Sequence, residues 1–281
     1  MIIDLHTHYI DFEKEAGDIL RKDMANSGIS TDMWCYSEDE YLKGVEGADR
    51  VVVFGLKAKK TGWLFSNTHV ADFANRLGNR FIFFASIDPT EPDAMGELKF
   101  LHREKNCKGV KLGPVYQGVH PLDARYDPIY EYCQKHGLPI MTHMATTFSS
   151  GVPLDYARPV HMDEVACRYP DLRMILAHIG HPWEGETLAV IRRHKNVFAD
   201  ISALYYRPWQ FYNSMRLAVE YNCTGKLLFG SDYPATTTAS SIEGLRKVNQ
   251  IAAGSGLPLI PVEVIEDIIH RNSLELIGID D

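Results

Sequence analysis

The 281-residue sequence lacks several features that assign chains to specialised classes. Its five cysteines form no CxxC or CxxH motif, so we expect free, mostly buried thiols and neither a disulfide framework nor a cysteine zinc site. No apolar run approaches the roughly 18 residues of a membrane-spanning helix. The net charge of −8 leaves no general excess of positive charge for nucleic acid or an anionic membrane. Without a signal-peptide pattern, these absences predict a cytoplasmic protein with neither nucleic-acid nor membrane partners.

Short apolar segments do recur along the chain, about 30 residues apart, which is the length of a strand with its following helix. Continuous apolar runs are typical of strands that are buried on both faces of a parallel sheet. They predict eight strands, at residues 2–8, 50–56, 81–87, 109–112, 139–144, 173–179, 197–202 and 227–232.

The segments between these strands carry helical patterns, at residues 67–77, 128–137, 162–169, 187–194 and 262–270. No linker or charge block interrupts the series. The pattern therefore predicts an α/β protein with a single (β/α)8 barrel, or TIM barrel, over residues 1–281, with an open doubly wound sheet as the alternative. In both folds the functional site lies at the C-terminal ends of the strands.

His6 and His8 end the first predicted strand, in the sequence His-Thr-His. Side chains at positions i and i+2 of a strand point to the same face, so both imidazoles could bind one ion. The alternative is a pair of hydrogen-bonded histidines at a strand end, and the motif alone does not establish a metal site.

Other polar residues end further predicted strands. His143 ends the fifth, His178 the sixth and Asp232 the eighth. A carboxylate after a buried strand is costly unless it is paired or bound to a cation. Together with His6 and His8, these residues predict a metal site at one end of the barrel, with all but His178 as ligands. Nitrogen ligands with one carboxylate favour zinc, with manganese, iron or cobalt as alternatives.

His178 lies on the neighbouring strand, outside the predicted ligand set. We expect it to act as a catalytic acid or base beside the metal, or to stabilise charge that develops on an oxygen. The alternative is a buried histidine that bonds only to the backbone.

The arrangement of these histidines and Asp232 resembles the amidohydrolase superfamily. The sequences Gly-Val-Lys-Leu-Gly-Pro, Ala-His-Ile-Gly-His-Pro-Trp and Phe-Gly-Ser-Asp-Tyr-Pro resemble its amidohydrolase-related branch, which also holds aminocarboxymuconate-semialdehyde decarboxylase. The resemblance runs from Asp4 to about Asn272. It implies a metal-dependent barrel enzyme with His6, His8, His143 and Asp232 as ligands. It also implies that His178 is catalytic and that Asp232 handles a proton of the metal-activated water.

Lys111 ends the fourth predicted strand, where other members of the superfamily carry a carboxylated lysine that bridges two metal ions. The resemblance thus leaves a second ion as the alternative to one ion, which is usual in this branch. Lys111 could otherwise pair with Asp4, which we expect to face inward, or with a carboxylate of the substrate.

Three residues that follow the fifth and seventh strands are candidates for substrate binding: Arg158, Tyr205 and Arg207. An arginine fork suits a carboxylate. We therefore predict a hydrolase in which metal-activated water attacks an amide, lactone or ester of a small, carboxylated molecule. The sequence does not indicate whether the chain forms a homo-oligomer.

Two alternatives remain at this point. One is a metal-dependent decarboxylase of a small unsaturated or aromatic acid, although residues 179–183 lack the glycine-rich stretch that follows the equivalent histidine in decarboxylases of this branch. The other is a barrel that binds a metal ion or small molecule without turnover.

Overall fold

The computed structural model describes residues 1–279, in which eight parallel strands form a barrel with helices between them. The barrel strands, numbered first to eighth in chain order, span Ile3–His8, Arg50–Phe54, Phe81–Ser86, Gly109–Leu112, Ile140–His143, Met174–Ala177, Val197–Asp200 and Leu227–Leu228. Each predicted strand overlaps an observed one, and the predicted (β/α)8 barrel is confirmed. Several predicted strands extend beyond the C-terminal end of the observed strand, because buried residues continue from the sheet into the loops.

The strands pair in sequence order, and backbone hydrogen bonds between the eighth and first segments close the barrel. Leu5 N donates to Phe229 O at 3.1 Å, and Asp232 N donates to His6 O at 2.7 Å. Residues 229–232 therefore leave the eighth strand but stay bonded to the first. This closure places Asp232 beside His6.

The helices surround the barrel. They span Phe12–Glu15, Asp18–Asn26, Glu38–Gly44, Asn67–Leu77, Ala94–Glu104, Pro114–Gln117, Asp127–His136, His161–Arg168, Glu184–Arg193, Pro208–Glu220, Thr238–Arg246, Val262–His270 and Ser273–Leu276. A short antiparallel hairpin, Lys57–Ala58 with Trp63–Leu64, follows the second strand. No helix within residues 1–279 is long and apolar enough to cross a membrane.

The local sequence explains several helix ends. Ser37 and Glu40 form a capping box at the start of Glu38–Gly44, which satisfies two backbone N–H groups. Gly137 ends Asp127–His136 with a φ of 68°, a left-handed conformation that glycine adopts without strain. The helix predicted at 187–194 begins earlier, at Glu184. The prediction misses the first turn because that turn lacks the apolar periodicity by which helices were recognised.

A register shift in the first strand, between Asp4 and Thr7, changes which side chains face the interior. Ile3 and Leu5 belong to the interior hydrophobic cluster, and His6 reaches the cavity beyond it. Asp4 instead accepts a hydrogen bond from Thr238 at the start of a surrounding helix. The expectation that Asp4 faces inward is therefore wrong.

Candidate metal centre and active site

A cavity of about 650 Å³ opens at the C-terminal ends of the strands, within the range of small-molecule sites. The loops after the strands form its walls. Six of the predicted site residues line it: His8, Lys111, His143, His178, Arg207 and Asp232. His6 is fully buried directly beneath them.

His6, His8 and Asp232 bring three potential metal ligands together. Asp232 Oδ1 lies 3.2 Å from His6 Nε2 and 3.4 Å from His8 Nε2. Ligand atoms around a tetrahedral zinc ion, with bonds of 2.0–2.2 Å, lie roughly 3.3 Å apart. The distances from Asp232 Oδ1 to the two imidazole nitrogens therefore fit the ligands of one divalent ion.

Hydrogen bonding supports the same interpretation at His6. Its Nδ1 lies 3.0 Å from Asp200 Oδ2, and a carboxylate can only accept, so Nδ1 carries the proton. Burial lowers the pKa of His6 well below its usual value, which keeps the ring neutral. Nε2 therefore directs a lone pair at Asp232 Oδ1, an arrangement that a cation between them would stabilise.

Lys111 supplies a positive charge at this position. Its Nζ lies 3.2 Å from His6 Nε2 and 4.6 Å from the centre of the Phe54 ring. Burial lowers the pKa of Lys111 to about 8, although Asp200 and Asp232 oppose this shift. Asp4 is bonded elsewhere, so the predicted Lys111–Asp4 pair is wrong because the register shift turns Asp4 away.

His143 lies close to this group but is not part of it, because its ligand atoms are not within 4.8 Å of all three others. Its Nε2 donates to the backbone oxygens of Ala145 and Thr146, at 3.1 and 3.3 Å. Burial lowers the pKa of His143 to about 3, so the ring is neutral and Nδ1 keeps a lone pair. The His143 ring lies 4.9 Å from that of His178.

Asp200 and Ser202, which the sequence analysis did not identify, connect His178 to His6. Ser202 Oγ donates to Asp200 Oδ1, so it accepts from Nδ1 of His178 at 2.7 Å. The same Asp200 oxygen accepts the backbone N–H of His178 at 3.1 Å. His178 is thereby fixed with Nδ1 protonated and Nε2 free to accept. The pattern that identifies Asp232, a carboxylate at the end of a buried apolar strand, also applies to Asp200.

Two of the site residues have an unusual backbone. His178 and Asp232 have φ values of 59° and 62°, in the left-handed region that residues other than glycine rarely adopt. Such strain is concentrated at functional sites, where the surrounding structure enforces it. Burial also raises the pKa of Asp232 well above its usual value, while Lys111 opposes that shift. The carboxyl group can therefore exchange a proton nearer to neutral pH.

Arg207 is the predicted substrate-binding residue that the structure places in the cavity. Its Nη1 donates to His181 Nε2 at 3.2 Å, and its guanidinium lies 5.0 Å from the centre of the Tyr206 ring. Among the residues that the structure describes, no carboxylate forms an ion pair with Arg207. Its charge is thus available to an anionic group.

The other two predicted substrate-binding residues lie elsewhere. Arg158 is 43% exposed and pairs with Glu186, a residue of the helix Glu184–Arg193, outside the cavity lining. Tyr205 donates its hydroxyl to Gly230 O at 2.8 Å, which ties its loop to the segment after the eighth strand. Neither position can be inferred from the sequence, because each depends on how a long loop folds.

The fold has close structural relatives. An uncharacterized TIM-barrel protein of Bordetella bronchiseptica is 22% identical, with a TM-score of 0.74 over 99% of this chain and 98% of its own. A 5-carboxyvanillate decarboxylase of Sphingomonas paucimobilis is 14% identical, with a TM-score of 0.66 over 99% of both chains. A probable 2-pyrone-4,6-dicarboxylic acid hydrolase of Acinetobacter baumannii is 15% identical, with a TM-score of 0.68 and the same coverage. At these identities the likeness shows the fold alone.

Metal ions occur among further structural relatives. An amidohydrolase of Burkholderia multivorans contains zinc, and a 5-carboxyvanillate decarboxylase of Novosphingobium aromaticivorans contains manganese. No protein of curated function matches the chain in sequence. A family model, however, matches residues 3–279, nearly the whole sequence. This match confirms the predicted resemblance: the chain belongs to the amidohydrolase family of enzymes.

Proposed function

We propose that the chain is a metal-dependent hydrolase of an amide, lactone or ester in a small molecule that carries a carboxylate. Hydrolysis requires two proton transfers, one from the attacking water and one to the leaving group. The observation that carries the proposal is that the cavity holds two proton-handling groups, Asp232 and His178, beside the potential metal ligands.

The residues present fit a divalent ion. His6, His8 and Asp232 would hold it, and His143, whose Nδ1 keeps a lone pair, would be the fourth ligand. Such an ion supplies Lewis acidity, which lowers the pKa of a water molecule and polarises the carbonyl group of a substrate. Zinc is the expected ion, with manganese, iron and cobalt as alternatives, because the donors are imidazole and carboxylate.

The proton transfers follow from the hydrogen bonds of the site. As the water oxygen bonds to the carbonyl carbon, Asp232 accepts the proton that the water loses. The bond from that carbon to the leaving nitrogen or oxygen then breaks, and the proton passes to the leaving atom. His178 presents Nε2 as an acceptor, so it can orient the water and relay this proton.

Arg207 would bind the carboxylate of the substrate. The guanidinium lines the same cavity as Asp232 and His178 and has no carboxylate partner among residues 1–279. A planar guanidinium binds a carboxylate through two parallel hydrogen bonds, which fixes the position of the substrate as well as its charge. Arg207 would thus orient the scissile bond toward the metal ligands.

A product assay tests this proposal. Zinc-loaded protein is incubated in ¹⁸O-enriched water with lactones, esters and amides of small dicarboxylic acids, and with unsaturated and aromatic acids. We expect one labelled oxygen in the released acid and loss of the reaction in Asp232→Asn. Carbon dioxide as the only product would contradict hydrolysis.

Decarboxylation of a flat acid is the second candidate. It is favoured by the aromatic wall of the cavity, which Trp34, Trp63, Tyr116 and Phe148 form and which suits a planar ring. The carbon dioxide arm of the same assay detects this reaction. The two functions use the same metal ligands and differ in whether water enters the product.

A further inference from the structure

A second group of potential metal ligands lies outside the cavity, on the loops that follow the fourth and fifth strands. His120, Asp155 and His161 each offer one ligand atom, and these three atoms lie within 4.8 Å of one another. The side chains are partly exposed, by 30% at His120, 53% at Asp155 and 20% at His161. An ion could therefore reach the group directly from solvent.

One carboxylate oxygen of this group faces both imidazoles. Asp155 Oδ2 lies 3.2 Å from His161 Nε2 and 3.9 Å from His120 Nε2. The centres of the two imidazole rings are 4.3 Å apart. Ligand atoms around a tetrahedral zinc ion lie roughly 3.3 Å apart. The shorter distance matches this spacing, and the longer one requires only a small rotation of the exposed carboxylate.

Hydrogen bonding within the group accounts for only one of its two imidazoles. His161 Nε2 is within hydrogen-bond distance of Asp155 Oδ2, whereas His120 Nε2 is beyond it. The other oxygen of Asp155 lies 3.9 Å from Nη1 of Arg158, which leaves Oδ2 for the imidazoles. A cation between the three atoms would engage the second imidazole as well. Two imidazole nitrogens and one carboxylate oxygen are a donor set that suits zinc.

Binding at His120 has a cost that limits the affinity of this group. The backbone N–H of Leu122 donates to His120 Nδ1 at 3.2 Å. When Nε2 binds an ion, Nδ1 must carry the ring proton, so this contact is lost. We therefore expect weaker binding here than at the buried His6, His8 and Asp232. Dialysed protein should keep the buried ion alone, and the outer ion should appear only on titration.

The three residues connect two loops that support the aromatic wall of the cavity. His120 follows the helix Pro114–Gln117, which contributes to that wall. Asp155 and His161 lie at the end of the segment after the fifth strand, and the same segment carries Phe148 of the wall. One ion held by both loops would fix them to each other on the outer side of the wall.

We infer that His120, Asp155 and His161 form a second, outer site for a divalent cation such as zinc, and that the bound ion fixes the loop after the fourth strand to the loop after the fifth. The ligands converge on one point, and each loop supplies at least one of them. The inference does not depend on the proposed function, because it needs neither the ion in the cavity nor turnover.

Zinc titration of protein that has been loaded with zinc and then dialysed tests the outer site. Calorimetry should detect about one further binding event per chain. His120→Asn, Asp155→Asn and His161→Asn should each remove this event and leave the metal content of the dialysed protein unchanged. Magnesium should produce no event, because it prefers oxygen ligands in octahedral geometry.

His270→Asn is the matched control. The side chain of His270 is 47% exposed and lies 3.4 Å from Glu266, but it belongs to none of the candidate metal groups among residues 1–279. This variant should keep the further event. Hydrogen exchange measured by mass spectrometry provides a test without substitutions: the outer ion should slow exchange at residues 118–126 and 149–160, since it restrains both loops.

The absence of a further event in zinc-loaded protein would overturn the inference. An event that survives all three substitutions would also overturn it, because the ion would then lie elsewhere, for example at Lys111. Unchanged exchange in both loops at saturating zinc would contradict their fixation by the ion. Failure of the hydrolase proposal would leave these results unaffected, because binding and exchange are measured without a substrate.

Discussion

Asp200 accepts hydrogen bonds from His6 Nδ1, from Ser202 and from the backbone of His178, so one buried carboxylate orients two imidazoles of the site. An acidic partner of this kind fixes the tautomer of a metal-binding histidine and raises its basicity. Asp200 is therefore a positioning residue, and its loss should weaken the site without removing a ligand.

The Asp200→Asn variant tests this role. We expect zinc affinity to fall about 10–100-fold, since the amide can no longer accept from every donor that now reaches the carboxylate. Competition with a chelator measures the affinity. Asp72→Asn is the matched control, because Asp72 is 62% exposed, pairs with Lys105 and belongs to none of the candidate metal groups among the described residues. Unchanged affinity in Asp200→Asn would exclude the positioning role.

His178→Asn separates catalysis from metal binding. The amide still forms hydrogen bonds but cannot accept a proton near neutral pH, so turnover should fall about 10²–10⁴-fold while metal content stays normal. His136→Asn, at an exposed helical position, is the control. A parallel fall in metal content would instead indicate a ligand of a second ion. Normal turnover in the metal-loaded variant would end the catalytic assignment.

At the residue scale, sequence patterns found the polar groups that end buried strands. His6, His8, His143, His178 and Asp232 could be identified because charge or an imidazole is unusual there. Residues on loops were harder to place: Arg207 reaches the cavity, whereas Arg158 does not, and both follow strands in the same way. Loop conformation decides between them, and no short-range pattern encodes it.

At the scale of elements, the segment after the eighth strand matters most, because it carries Asp232 and is bonded to the first strand. Its position also depends on the helix Glu38–Gly44. A Cβ at Gly44 would lie 2.0 Å from the ring of Tyr233, the residue after Asp232. Glycine at this helix end thus permits the close approach that sets Asp232 in place.

Gly44→Ala should therefore lower the free energy of unfolding by about 1–3 kcal/mol, the usual cost of overpacking, and weaken metal binding. Chemical denaturation and metal titration measure both effects. Gly185→Ala is the control, since its Cβ would meet nothing within 4 Å. That change should leave stability equal or slightly higher. A fully stable Gly44→Ala variant would show that Tyr233 can move without cost.

At the scale of elements, the main feature that the sequence did not predict is the register shift in the first strand. Strict alternation would put Asp4 on the same face as His6, and the extra residue between Asp4 and Thr7 breaks it. The apolar runs do locate all eight strands, because a strand that is buried on both faces can be recognised from its apolar composition alone. Bulges depend on tertiary contacts and leave little trace in the sequence.

For the whole molecule, the candidate ligands lie at opposite ends of the sequence, and barrel closure brings them together. An ion bound by His6, His8 and Asp232 would therefore join the first strand to the segment after the eighth. Because the unfolded chain does not hold these atoms together, binding should stabilise the fold.

Zinc at 100 times its dissociation constant should raise the free energy of unfolding by about 2.7 kcal/mol, which corresponds to several degrees in Tm. Thermal unfolding with and without zinc measures the shift. Asp232→Ala, which removes a ligand, should show a much smaller shift. An identical shift in both proteins would place the zinc elsewhere.

The decisive measurement is the metal content of the purified, reconstituted protein by elemental analysis. We expect about one divalent ion per chain, and its loss in His6→Ala, His8→Ala and Asp232→Ala with the fold retained. A content near two ions per chain would favour the alternative site, in which a carboxylated Lys111 bridges two metal ions. A folded wild-type protein that binds no transition metal after reconstitution would contradict the metal centre and the hydrolase proposed from it.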